Sequence, residues 1–230
     1  MRIVRSPNCG PRRDGLLPEL VVIHYTAMAD AACALQRLCD PAAEVSAHYL
    51  IAADGTVIRM VEEPLRAWHA GAGEWAGRAD INSRSIGIEL DNRGNHPFAA
   101  PQMTALEDLL RGIMARWAIA PAGVIGHSDM APGRKTDPGP HFDWARLERQ
   151  GLAAPAQSQI PGQIRGQIRG QMESQMKGQM QKAGDETAFR AAAQAAGFTA
   201  EADLAALLQA TRLRRAPWRS GPLCAADFNL

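Results

Sequence analysis

Along the first 130 residues, short runs of unbroken apolar character alternate with stretches whose apolar positions fall three and four residues apart. Residues 20–24, Leu-Val-Val-Ile-His, are apolar on both faces, the pattern of a buried strand. Residues 31–38 carry a short helical pattern. Residues 47–53 and 56–61 flank Asp54-Gly55, a dipeptide that tolerates positive φ, and so predict a tight hairpin. Residues 85–91 alternate, with Ile86, Ile88 and Leu90 on one face and Gly87, Glu89 and Asp91 on the other. Leu106, Leu109, Leu110, Ile113 and Met114 give residues 101–117 a helical apolar stripe, and residues 123–127 read as a last strand. Strands interspersed with helices, plus one hairpin, predict an α/β fold with a mixed central β-sheet flanked by helices.

The pattern changes near Ala153. From Ser158 to Gln181 the sequence repeats every four residues, with Gln in each repeat and Gly in most. A four-residue period overshoots the 3.6 of a helix, so the column Ile164, Ile168, Met172, Met176 and Met180 would wind around it, and each Gly costs about 1 kcal/mol against Ala. Residues 153–184 are therefore expected to be a low-complexity linker, with partner-helix binding through that column as the alternative. Residues 186–196 and 199–208 then read as two short amphipathic helices, the second capped by Thr199 with Leu204, Leu207 and Leu208 on one face. Gly221-Pro222 introduces a third, cut short. The expected division is a main domain over residues 1–152, the linker, and a small helical segment over 185–230 that either stands alone or packs on the main domain.

Composition narrows the function classes. Of 230 residues 46% are apolar and 21% charged, which supports a packed core. Lys and Arg number 25 against 24 Asp and Glu, a net charge of +1, without the basic field that nucleic-acid binding demands. No apolar run follows the basic N-terminal residues and no window has the length of a membrane span, so a cytoplasmic location is expected, with a periplasmic one as the alternative. Cys9, Cys33, Cys39 and Cys224 fall in no metal-binding spacing and read as reduced thiols. No protein partner is implied.

The candidate chemistry lies where strands end. His24 closes Val-Val-Ile-His, His127 closes Val-Ile-Gly-His, and Asp137 sits in Arg-Lys-Thr-Asp-Pro-Gly. Two imidazoles and one carboxylate are the ligand set of an open catalytic zinc. Pro138 biases Asp137 towards extended backbone, which turns Lys135 to the same side, where a cation stabilises a developing oxyanion. Glu89 stands on a sheet face beside Gly87, which leaves room for a ligand, and its carboxylate suits proton transfer from water to a leaving amine.

Five ordered motifs carry a resemblance. They are His-Tyr-Thr-Ala-Met at 24–28, Ser-Ala-His-Tyr-Leu-Ile at 46–51, Ala-Trp-His-Ala-Gly at 67–71, Asn-Ser-Arg-Ser-Ile-Gly-Ile-Glu at 82–89, and Gly-His-Ser-Asp-Met-Ala-Pro-Gly-Arg-Lys-Thr-Asp-Pro-Gly-Pro at 126–140. Over about residues 1–151 the chain resembles the zinc-dependent N-acetylmuramoyl-L-alanine amidases of the AmpD/AmiD type. The resemblance implies Zn²⁺ on His24, His127 and Asp137, Glu89 as catalytic carboxylate, and Lys135 as transition-state stabiliser. It also implies cleavage of the amide between N-acetylmuramic acid and L-alanine in muropeptides or peptidoglycan, with Trp68, His69 and Asn82 lining the substrate groove. His48 reads as structural, His96 and His141 as loop residues, and Trp75, Trp117, Trp144 and Trp218 as packing. Asp80 and the Leu50-Ile51-Ala52-Ala53-Asp54 turn lack the basic residues of the cytoplasmic recycling enzymes, which leaves open the choice between anhydro-muropeptides and intact wall. The last segment is faintly similar to small helical peptidoglycan-binding modules.

Overall fold

The computed structural model describes residues 1–155 and 186–230. The four-residue repeats, and with them both readings of that segment, lie outside the described residues. Among the described residues eight strands form: β1 (Arg2–Ile3), β2 (Cys9–Pro11), β3 (Leu20–Tyr25), β4 (Tyr49–Ile51), β5 (Val57–Arg59), β6 (Leu65–Ala67), β7 (Ser85–Leu90) and β8 (Val124–Gly126). The main sheet runs β1-β5-β4-β7-β3-β8, and β2 pairs separately with β6. Within the main sheet only β4 and β5 are antiparallel. They form the hairpin expected at Asp54-Gly55: Gly55 has φ 90° and its N–H donates to Ala52 O at 2.9 Å. A Cβ at Gly55 would lie 2.9 Å from Pro101 O, so the turn needs glycine for space as well as for its dihedral.

Alternation sorts the residues of β3 and β7 between the two faces of the sheet. Val21, Ile23, Ile86, Ile88 and Leu90 face α3 (Ala100–Trp117), which buries Met103, Leu106, Leu110 and Ile113 against them. Each such fully buried Leu or Ile contributes about 1.5–3 kcal/mol. The short α5 (Trp144–Arg149) adds Trp144 and Leu147 to this layer. The opposite face is shared. Helix α1 (Ala31–Cys39), capped by Asp30 accepting from the Cys33 N–H at 2.8 Å, packs Ala34 and Leu38 on Leu50, Ile58 and Met60. Helices α6 (Glu186–Ala195) and α7 (Leu204–Arg215) cover the other end. There Phe189, Ala193, Phe198, Leu207 and Leu208 form one apolar cluster with Leu20, Val22, Trp75, Ile125 and Met130. The tail thus packs on the sheet, and the gap between it and α1 exposes the strand ends. Among the described residues no helix is long and apolar enough to cross a membrane.

Three local expectations are corrected. The last strand ends at Gly126, and His127 opens a four-residue helix, α4 (His127–Met130), because Asp129 Oδ2 takes the Gly126 N–H and Asp137 O takes the Ser128 N–H. Thr199 caps no helix: α7 starts at Leu204 with Asp203 accepting from the Ala206 N–H, while Thr199 Oγ1 accepts from the Gly77 N–H. Trp75 and Trp144 are buried, and Trp117 donates to Glu63, but Trp218 is 78% exposed and packs nothing away. The short β1, β2, β6, α2 (Ile81–Arg84) and α5 left no periodic signal long enough to read.

Candidate active site

Parallel register places His24 of β3 beside Glu89 of β7, on the face between α1 and the tail. His127 arrives from the adjacent β8 through α4, and Asp137 from the loop that follows, so three segments converge at the carboxyl ends of parallel strands. His24 Nδ1, His127 Nδ1 and Asp137 Oδ2 lie 2.9, 2.9 and 3.0 Å apart pairwise. All three residues are buried.

Their protonation follows from what stands behind them. Ser85 Oγ donates to Ile81 O at 2.6 Å, so it must accept from His69 Nε2 at 3.1 Å. His69 Nδ1 then has a lone pair and accepts from His24 Nε2 at 2.9 Å, which leaves His24 Nδ1 an acceptor. On the other side His127 Nε2 donates to Ala70 O at 2.8 Å, leaving His127 Nδ1 an acceptor too. Burial, reinforced by the neighbouring His127, pushes His24 down to about 4, so at neutral pH it carries no second proton. When Asp137 is ionised and neither imidazole carries a second proton, three lone pairs meet here, an arrangement that a cation among them relieves. The donor set of two imidazoles and one carboxylate fits zinc.

Glu89 shares the cavity. Its Oε2 is buried without a partner, and burial first, then the Asp137 charge, raises its carboxyl to about 8 while Lys135 opposes the rise. Lys135 and Asp137 both line the cavity, but so does Thr136 between them, so the lining does not follow the alternation of an extended chain. The cavity holds about 520 Å³ and also takes in Trp68, His69, Arg37 and Arg134.

The other predicted residues separate. Trp68 lines the cavity, its N–H fixed by Ser46 Oγ at 2.9 Å. His69 lines it too, but both ring nitrogens are spent on His24 and Ser85. Asn82 does not line it: its Oδ1 accepts from the N–H groups of His69 and Ala70, so it shapes the loop from behind. The room expected beside Gly87 is filled by the His69 ring, whose Cγ lies 2.4 Å from where a Cβ would stand. His48 is structural, accepting from the Gly87 N–H at Nδ1 and donating to Leu65 O at Nε2. Sequence reasoning missed Arg134, which donates to Ala70 O and Ala72 O and so pins the loop behind His127; it stands beside Lys135 in the same motif. It also missed Arg37, which faces the cavity from α1 and belongs to no motif.

The family model described as Amidase_2, N-acetylmuramoyl-L-alanine amidase, matches residues 14–140. The chain is 41% identical over 152 residues to the N-acetylmuramoyl-L-alanine amidase AmiD of Escherichia coli (strain K12), an alignment that covers 59% of this chain and 54% of that protein. It is 35% identical over 163 residues to the 1,6-anhydro-N-acetylmuramyl-L-alanine amidase AmpD of the same organism, covering 64% of this chain and 89% of that one. In structure it is similar to E. coli AmiD in complex with the substrate anhydro-N-acetylmuramic acid-L-Ala-D-gamma-Glu-L-Lys. The TM-score is 0.78 at 30% identity, covering 98% of this chain and 90% of that one. The chain thus spans about half the length of one curated relative, while its likeness to the solved structure extends through the tail.

Proposed function

The chain belongs to the Amidase_2 family of N-acetylmuramoyl-L-alanine amidases, and from that premise we propose that it is a zinc hydrolase cleaving the amide between N-acetylmuramic acid and L-alanine in muropeptides. The observation that carries this reading is the meeting of three acceptor atoms, His24 Nδ1, His127 Nδ1 and Asp137 Oδ2, beside a partnerless carboxylate, Glu89. The substrate class is supported by the molecule bound in the AmiD structure.

Zinc on those three atoms would supply Lewis-acid polarisation of the carbonyl and a lowered water pKa. Glu89 takes the proton of the attacking water at Oε2 and returns it to the alanine nitrogen as the carbon–nitrogen bond breaks. A new carbon–oxygen bond leaves the lactyl group as a carboxylic acid and L-alanine as a free amine. Burial raises the Glu89 carboxyl and so favours its handing the proton on, while a bound cation would favour the carboxylate that first takes it. Lys135 holds the oxyanion of the tetrahedral intermediate with its ammonium group. Trp68 offers the sugar or the stem peptide a flat apolar wall.

Soluble anhydro-muropeptide and whole sacculi, each incubated with wild type and with Glu89→Gln, test the proposal. Release of stem peptide by wild type, abolished by a zinc chelator and restored by Zn²⁺, is expected. Full turnover by Glu89→Gln, or by chelated protein, overturns it. The ratio of the two substrates decides between soluble fragments and intact wall.

A further inference from the structure

Helix α7 reaches the metal-binding turn directly. Arg214, near its end, is 7% exposed, and its Nη1 donates to Asp129 Oδ2 at 2.7 Å. Asp129 is 1% exposed and sits two residues after His127 on α4, where the same Oδ2 accepts from the Gly126 N–H at 2.8 Å. Nη2 of Arg214 donates to Val124 O at 3.2 Å, at the start of the strand that delivers His127. The guanidinium lies 4.1 Å from the centre of the Trp144 ring. Trp144 closes the arrangement, since at Gly126 a Cβ would meet Pro138 Cδ at 2.8 Å and Trp144 Cζ2 at 3.2 Å, with Pro138 next to Asp137. Higher on the same helix, Ala206 stands 3.0 Å from the Cβ position of Gly133, in the loop leading to Lys135.

One side chain of the tail therefore touches the strand before His127, the turn that carries it, and the indole behind Pro138. Neither charge has water to fall back on. Asp129 Oδ1 is buried with no partner, and Arg214 is the side chain that donates to the other oxygen of this carboxylate. An Asp129 without that partner would draw towards solvent, which turns α4 and moves His127. The groups behind metal ligands set ligand orientation, and their loss typically weakens metal binding 10- to 100-fold.

We propose that Arg214 is a positioning residue for His127, so that docking of the tail and binding of metal are thermodynamically coupled. The tail is then part of the active centre as well as an appendage to it. This rests on the metal reading above. By reciprocity, whatever factor the docked tail adds to metal affinity, bound metal adds to tail docking.

The test uses the full chain and measures zinc affinity by competition with a chromogenic chelator. Arg214→Ala is expected to weaken zinc by about tenfold or more with an unchanged circular dichroism spectrum. Arg214→Lys, which keeps a charge for Asp129, recovers part of that loss. Arg212→Ala, which breaks a pair with Asp227 inside the tail, should leave zinc affinity as it is. Unchanged affinity in folded Arg214→Ala, or an equal loss in Arg212→Ala, overturns the inference. Hydrogen exchange on the wild type decides the matter even where Arg214→Ala fails to fold. Stripping zinc should deprotect amides 204–215 more than amides 100–117, and protection of 204–215 that ignores zinc overturns the coupling. Wild type that takes up no zinc would overturn both proposals, whereas normal uptake with unaltered Arg214→Ala removes this one alone.

Discussion

Each histidine here is defined by what its second nitrogen does. His127 gives Nε2–H to Ala70 O and so offers Nδ1, and replacing it leaves two ligands, too few to retain zinc against a chelator. His127→Ala is accordingly expected to lose stoichiometric zinc and essentially all turnover, whereas Lys135→Ala should keep its zinc and lose about 10²- to 10³-fold in kcat. Metal analysis alongside kinetics separates the two, and zinc retained by His127→Ala would remove it from the ligand set. His48 behaves differently. Burial pushes it down to about 3, with its Nδ1 lone pair used by the Gly87 N–H. Between about pH 6.5 and 3 the unfolded chain binds a proton there that the folded one does not, so its contribution to stability is complete above 6.5 and is lost as pH falls. His48→Gln should therefore show a shallower fall in urea-unfolding free energy between pH 6 and 4, by up to about 1.4 kcal/mol per pH unit. Parallel curves for the two proteins would show that His48 is not held neutral.

Among the elements, β7 does the most positioning. Its outward face presents Ser85, Gly87 and Glu89 in turn: a hydroxyl that fixes the His69 tautomer, a gap that admits the His69 ring, and the carboxylate proposed to move the proton. The gap is the sensitive member, because a methyl at Gly87 lands 2.4 Å from His69 Cγ. Overpacking of this kind costs about 1–3 kcal/mol, and a displaced His69 no longer accepts from His24 Nε2. Gly87→Ala should lower the melting temperature and weaken zinc binding together, a pairing that calorimetry and chelator competition can read on one sample. A melting shift with intact zinc affinity would mean that His69 does not orient His24. Sequence alternation identified this face, since period two needs only the strand's own residues. It could not show that the space over Gly87 is taken by a side chain 18 positions earlier.

At the scale of the molecule, the tail and the catalytic part share one apolar cluster. A chain ending at Pro155 keeps His24, Glu89, His127, Lys135 and Asp137. It also bares Val22, Trp75, Ile125 and Met130 and strands the Asp129 carboxylate without Arg214. Fully baring even two of these apolar side chains costs about 3 kcal/mol or more. That corresponds to a melting temperature lower by roughly 6 °C or more for a chain of this size. Differential scanning calorimetry on both chains checks this, and equal melting temperatures would show that the tail adds nothing to the stability of the sheet.

The sequence alone determined whatever depends on local order. The strand and helix periods and the Asp54-Gly55 hairpin are set by neighbours a few residues away, and the donor types at His24, His127 and Asp137 are written in the sequence itself. Tertiary structure decided what depends on distant partners. Asn82 turned from groove to loop because its amide found the N–H groups of His69 and Ala70, and His127 left its strand because Asp129 and Asp137 captured the next hydrogen bonds. The acceptor state of His24 Nδ1 depends on a chain through His69, Ser85 and Ile81, and the balance of charge at Asp129 on an arginine 85 positions away. A buried polar group must find a partner wherever the fold brings one, and no local pattern of apolar and polar residues encodes which partner that will be.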